Sequence, residues 1–204
     1  MTTKNTQKLL STIIAITSVM FVAQSMSTFA FADHPLTTGN KQSGGNVDIC
    51  YLTSEFNSML VGGAYIQSSS VTPEIDDAIS DWNAQTTDFS FDFQTGTTCG
   101  RTFGASNLSG TTIGLTTYTA SSGIITDVDT DFDTSGRNWQ TGNTCSDSDN
   151  PNIEYVATHE LGHWIQFADA TTGTQAHTVM WGAYNCNALS VQTDDGDEVD
   201  DLYP

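Results

Sequence analysis

His159 and His163 stand four residues apart, with Glu160 directly after the first. On an α-helix, residues i and i+4 lie one above the other, so two imidazoles at this spacing can share one metal ion without distorting the backbone. The stretch from His159 to Asp169 therefore predicts a helix with one face turned to a cleft. In the H-E-x-x-H arrangement the histidines bind Zn²⁺ and the glutamate acts as general base on the metal-bound water. Each part is needed: imidazole suits zinc, an open coordination position must take a water, and a carboxylate must sit close enough to take its proton. His159 and His163 are thus candidate ligands of one catalytic zinc, and Glu160 is the candidate catalytic residue.

The flanking sequence agrees with a helix here. Asn150 can cap it with Pro151 at the first position, and Ile153, Val156, Ala157, Leu161 and Trp164 fall on the core side. A second amphipathic helix is expected from Thr72-Pro73-Glu74 to about Asn83, with Ile75, Ala78, Ile79 and Trp82 at i, i+3, i+4 and i+7. Strands are expected at Val47–Leu52, at Phe89, Phe91 and Phe93, at Arg101–Phe103, at Thr111–Thr119 and at Ile124–Phe132. This pattern predicts an α+β domain over 47–204, with a twisted mixed sheet of four to five strands.

Ahead of that domain, Lys4 and Lys8 precede an apolar run from Leu9 to Ala23, and Ala30-Phe31-Ala32 offers a signal-peptidase site. Residues 1–32 are read as a secretory signal and 33–46, polar and glycine-containing, as a flexible leader. Removal of the signal leaves three basic against 24 acidic residues, a formal charge of −21. Nucleic acid and anionic membranes are poor partners for such a surface, and no stable membrane association is expected after cleavage. Four cysteines, Cys50, Cys99, Cys145 and Cys186, fall in the exported part, where disulfides form, and sequence leaves their three pairings open.

In the expected strand from Ile124, alternation puts Asp127, Asp129, Asp131 and Asp133 on one face. Four carboxylates in a row repel unless something positive lies among them, which makes Ca²⁺ a candidate second cofactor and a solvated acidic face the alternative.

Beyond the helix, His177-Thr178-Val179-Met180-Trp181 supplies a downstream methionine. Helix, acidic position at Asp169 and this methionine together resemble the metzincin metalloproteases, in which a methionine turn underlies the zinc ligands. Asp81-Trp82-Asn83, Asp129-x-x-Phe132-Asp133 with Trp139, Val156-Ala157-Thr158-His159-Glu160 and Asp194-Asp195 through Leu202-Tyr203 resemble the matrixin-like peptidases of bacteria and archaea. The resemblance implies a short C-terminal helix and an edge strand at Thr111–Thr119 that binds an extended peptide. It further implies Met180 as the supporting turn and a secreted, monomeric zinc endopeptidase acting on peptide or protein substrates. The clan's H-E-x-x-H-x-x-G-x-x-H/D pattern has Gln166 here in place of glycine and Asp169 as third ligand. His177 is the alternative third ligand, and Glu198 a more distant one. Tyr184 is a candidate to stabilise an oxyanion. The rival functional class is a non-enzymatic extracellular metal-binding or cell-surface module; the retained Glu160 argues against it, because a structural zinc site has no use for a base.

Overall fold

Period-two apolar alternation builds a five-stranded mixed sheet, and two helices cross its inner face. The chain forms β1 (Asn46–Tyr51), β2 (Leu60–Val61), β3 (Ala64–Tyr65), α1 (Thr72–Gln85), β4 (Ser90–Phe93), β5 (Arg101–Ser106), β6 (Gly114–Ser121), β7 (Ile124–Asp133), β8 (Asn138–Trp139), α2 (Ile153–Trp164) and α3 (Thr193–Leu202). This computed structural model describes residues 40–65, 67–94, 99–171, 178–186 and 190–204. The expected signal segment, the first part of the expected leader and His177 lie outside the described residues. Among the described residues, no helix is long and apolar enough to cross a membrane.

The sheet order is β4-β1-β5-β7-β6; the first four strands are parallel and β6 runs antiparallel at the edge beside β7. The two-residue strands β3-β2-β8 make a second small sheet. In β7, Val128, Thr130 and Phe132 are buried, as the alternation predicts. They meet Phe103 and large rings from α2 and β8: the Trp164 ring stacks on Phe103 at 5.1 Å, and Phe132 meets Trp139 edge-on at 5.2 Å. From α1, the Trp82 indole donates to the Thr158 carbonyl at 2.9 Å, tying α1 to α2. The helix α3 closes over the end of α1, where Gly196 lies so near the Gln85 carbonyl that any Cβ would collide with it.

Several boundaries depart from the sequence expectation. The second half of the leader is docked: Lys41 bridges to Ile124, and buried Gln42 donates from Nε2 to the Trp164 carbonyl at 2.8 Å and from its backbone N–H to the Tyr203 hydroxyl. A glutamine that satisfies both amide ends in the core cannot belong to a loose tail; Arg101 Nε donates to its Oε1 at 3.1 Å. The helix α2 starts after Asn152, whose side chain accepts from the Tyr155 N–H at 2.9 Å. Pro151 lies ahead of the helix, its carbonyl accepting from Gln140 N–H at 2.8 Å. Of the three possible disulfide pairings, Cys50–Cys99 and Cys145–Cys186 form.

Among the described residues, no three of the β7 aspartates bring carboxylate oxygens close enough together to share an ion. Two of them accept from a neighbouring strand: Thr102 Oγ1 donates to Asp129 at 2.5 Å and Ser106 Oγ to Asp131 at 2.9 Å. Asp133 turns inward to Ser135, the Leu108 N–H and Arg137 Nε, the last at 3.1 Å. Burial works against ionising Asp133, but these donors prevail and hold it below the usual carboxylate range.

Acidic groups do crowd where α1 meets the start of α2. Partial burial first, then the charges of Asp81, Asp77 and Glu74, push the Glu154 carboxyl up to about 7. A carboxyl whose folded value exceeds its unfolded one destabilises the fold once it ionises, with the loss developing between about pH 4.5 and 7. Glu154→Gln is therefore expected to raise the melting temperature at pH 8 and leave it unchanged at pH 4. For so exposed a group, solvent screening limits the gain to about 1 kcal/mol, or roughly 2–4 °C. Thermal melts of both proteins at the two pH values check this.

Candidate metal centre

The helix α2 presents two faces. Ile153, Val156, Ala157, Leu161 and Trp164 are buried, while His159 and His163 sit on the opposite side, with 14% and 20% of their side chains exposed. Each imidazole is fixed from behind. His159 Nδ1 donates to the Val179 carbonyl and His163 Nδ1 to the Phe167 carbonyl, both at 2.7 Å. A carbonyl can only accept, so Nδ1 carries the proton and the Nε2 lone pairs face the cleft. Such outer hydrogen bonds orient histidine ligands in metal sites.

Past Trp164 the chain must reverse. Gln166 adopts φ +78°, in the left-handed region that favours glycine. Its N–H donates to the His163 carbonyl and the Phe167 N–H to the Gly162 carbonyl, both at 3.0 Å. These are the two bonds of a Schellman cap, with glutamine in the position glycine usually takes. The reversal brings Asp169 back over the helix. Its Oδ1 lies 3.2 Å from His159 Nε2 and 3.5 Å from His163 Nε2.

Three acceptor atoms facing one another at these distances repel unless a cation joins them. Neighbouring ligands of a tetrahedral zinc with 2.0–2.1 Å bonds stand roughly 3.3–3.4 Å apart, so the two imidazoles and the carboxylate fit that ion. Among the described residues this is the one set of three metal-ligating groups close enough to share an ion. Burial lowers the His163 value, but the Asp169 hydrogen bond, the Glu160 charge and the Phe167 carbonyl outweigh it and push the ring up to about 9. Interaction with the His159 and His163 rings holds Asp169 far below the usual carboxylate range.

Below the helix, Met180 is fully buried with its sulfur against Gly162. The Met180 carbonyl accepts from Ala170 N–H at 2.7 Å, and Gly182 N–H donates to the Ala170 carbonyl at 3.1 Å. This short ladder holds the Asp169 loop onto the segment that also supplies Val179 to His159. In front, Glu160 is 4% exposed and accepts from the Thr116 hydroxyl at 2.6 Å, while its other oxygen lies over Gly114, where a Cβ would collide with it. The cleft, of about 980 Å³, runs between β6 and the segment Trp181–Tyr184.

Tyr184 does not approach the metal ligands. Its hydroxyl accepts from the Asn152 N–H at 2.7 Å, at the start of α2. His159 lies seven residues along that helix, ~10 Å away at 1.5 Å per residue, so the hydroxyl anchors the helix start. Sequence reasoning missed Thr116, Gly114 and Gly162. The two glycines carried a signal, since glycine inside a strand or helix weakens it and marks a close approach. Thr116 carried none.

The sequence model of a family described as dual-action HEIGH metallo-peptidase matches residues 40–173. That span contains His159-Glu160-Leu161-Gly162-His163 and Asp169. A comparison with curated proteins gave no match.

Gly162→Ala is expected to destabilise the protein by about 1–3 kcal/mol, the usual cost of overpacking a close-packed core. In urea denaturation, the loss for Gly162→Ala with Met180→Ala should fall short of the sum of the single losses, because both act on one contact.

Proposed function

Because this chain belongs to the HEIGH metallo-peptidase family, we propose that it is a secreted zinc endopeptidase of matrixin-like, metzincin type, held together by its two disulfides outside the cell. The observation that carries this reading is the convergence of His159 Nε2, His163 Nε2 and Asp169 Oδ1 within 4.8 Å of one another, with Glu160 buried in the same cleft. His159, His163 and Asp169 would hold the zinc. Such an ion supplies Lewis acidity, polarising a carbonyl and making a water acidic enough to lose a proton near neutral pH.

The protein's own groups do the rest. β6 is the sheet edge beside the cleft, and its outer backbone groups can pair with an extended peptide, laying the scissile bond across α2. Glu160 takes a proton from the attacking water as the water oxygen adds to the carbonyl carbon. The carboxyl then returns that proton to the amine nitrogen as the C–N bond breaks, which regenerates the carboxylate. His159 and His163 keep their Nδ1 protons throughout, held by Val179 and Phe167. Tyr155, Val156, Trp181 and Tyr184 wall one end of the cleft and would receive an apolar or aromatic side chain of the substrate.

Two variants test the assignment on purified full-length protein. Glu160→Gln should keep about one zinc per chain, measured by elemental analysis, while peptide and casein cleavage falls by about 10²–10⁴-fold. An inert wild type with bound zinc would instead favour a metal-holding extracellular module. Asp169→Ala should lose zinc on dialysis that leaves the wild type loaded. Full zinc retention in that variant would remove Asp169 from the ligand set.

A further inference from the structure

Glu160 hangs from a short chain of hydrogen bonds that begins in the hydrophobic core. The Trp164 indole N–H donates to Thr130 Oγ1 at 2.8 Å, Thr130 Oγ1 lies 2.6 Å from Thr116 Oγ1, and Thr116 Oγ1 lies 2.6 Å from Glu160 Oε2. Thr116 and Thr130 face each other directly across the β6–β7 pair.

The ends of this chain decide its direction. An indole nitrogen can only donate, an ionised carboxylate can only accept, and each threonine has one proton to give. Thr130, fully buried, accepts from Trp164 and so gives its own proton to Thr116. Thr116 accepts it and gives its proton to Glu160. Reversing the middle bond would set the Thr116 oxygen against the carboxylate lone pairs at 2.6 Å and strand the Thr130 proton in the core. Hydrogen bonds aligned head to tail polarise and strengthen one another.

We infer that Thr116 is a positioning residue for the peptidase reaction: at the end of a one-way Trp164–Thr130–Thr116 chain, it locks the Glu160 carboxylate in the orientation needed to exchange a proton with water and amine. The inference rests on the reading of Glu160 as general base. Gly114, two residues earlier on the same strand face, leaves the space in which the other carboxylate oxygen lies. One edge strand therefore does two things. Its outer backbone groups face the cleft for a peptide, and its inward side chains aim the base. Removing the Thr116 hydroxyl should then affect turnover and leave peptide pairing alone.

The test uses the zinc-loaded full-length protein as wild type, Thr116→Val, Thr116→Ser and Glu160→Gln. Valine keeps the shape and removes the hydroxyl; serine restores it. Thr116→Val is expected to melt somewhat lower, because the Thr130 proton loses its acceptor, but to stay folded at the assay temperature and keep its zinc and KM while kcat falls about 10–100-fold, in the range set by a misaimed reacting group. Thr116→Ser should stay within about threefold of wild type. In metal-free protein, the Trp164 indole N–H resonance should shift in Thr116→Val and stay in place in Thr116→Ser. The inference is overturned if kcat of Thr116→Val equals wild type while Glu160→Gln is inert, if serine is as impaired as valine, if the indole resonance stays put, or if the loss follows zinc content or the fraction unfolded at the assay temperature. A fully active Glu160→Gln would overturn the base assignment itself, a separate and recognisable failure.

Discussion

The metal centre depends on one backbone reversal. At Gln166 the chain leaves α2 with φ +78°, a conformation costing an L-residue about 1–2 kcal/mol. Three hydrogen bonds offset that cost, and all end on or beside a ligand: Gln166 N–H to His163 O, Phe167 N–H to Gly162 O, and His163 Nδ1–H to Phe167 O. The same turn that closes the helix therefore aims the second histidine and delivers Asp169 to both. Burial of Ile165, Gln166 and Phe167 fixes the turn from beneath. Glycine would reach the same φ with less strain, but it would leave a gap in a wall that is now filled.

Rigidity of the rest of α2 follows from how completely its ends and underside are occupied. At its start, the Asn152 side chain caps the first turn while Tyr184 holds the Asn152 N–H, and the Cys145–Cys186 disulfide ties the two flanking loops together. Beneath the middle, Gly162 admits the Met180 sulfur and Thr158 accepts from Trp82. At its end, Trp164 stacks on Phe103 and its carbonyl is held by Gln42. Imidazoles on such a helix have little freedom to drift, which lets a cluster of mutually repelling acceptors persist in a form ready for a cation.

Periodicity made the large elements legible. Ile75, Ala78, Ile79 and Trp82 marked α1, and Val128, Thr130 and Phe132 marked the inner face of β7, because a side chain that repeats with the backbone period must find a core. His159, Glu160 and His163 were legible for the same reason, since their chemistry is local to one helical turn. Long-range structure left weaker traces. The docked Gln42 looked like leader because a buried amide is indistinguishable from a soluble one until its three partners, Trp164, Tyr203 and Arg101, are known. The aspartates of β7 suggested an ion because the neutral donors that satisfy them sit on another strand. The two-residue strands β2, β3 and β8 are no longer than one period of any pattern.

The site draws its two chemistries from two parts of the chain. All three candidate metal ligands, and the carbonyls that orient the histidines, come from α2 and the segment after it, a stretch that folds back on itself through the Gln166 turn. The proposed base, Glu160, belongs to the same helix, yet its carboxylate is held by the sheet, through Thr116 of β6 and Thr130 of β7. The helix α2 is thus the seam between a metal-holding half and a substrate-facing half. A shift of the helix against the sheet would move base and metal ligands together but would break the bond from Thr116. A shift of β6 would disturb the base and the peptide edge while leaving the ligand set intact. Packing of α2 against β6, at Gly114 and Val156 as well as at Thr116, is therefore where the proposed function would bring metal, base and peptide into one register.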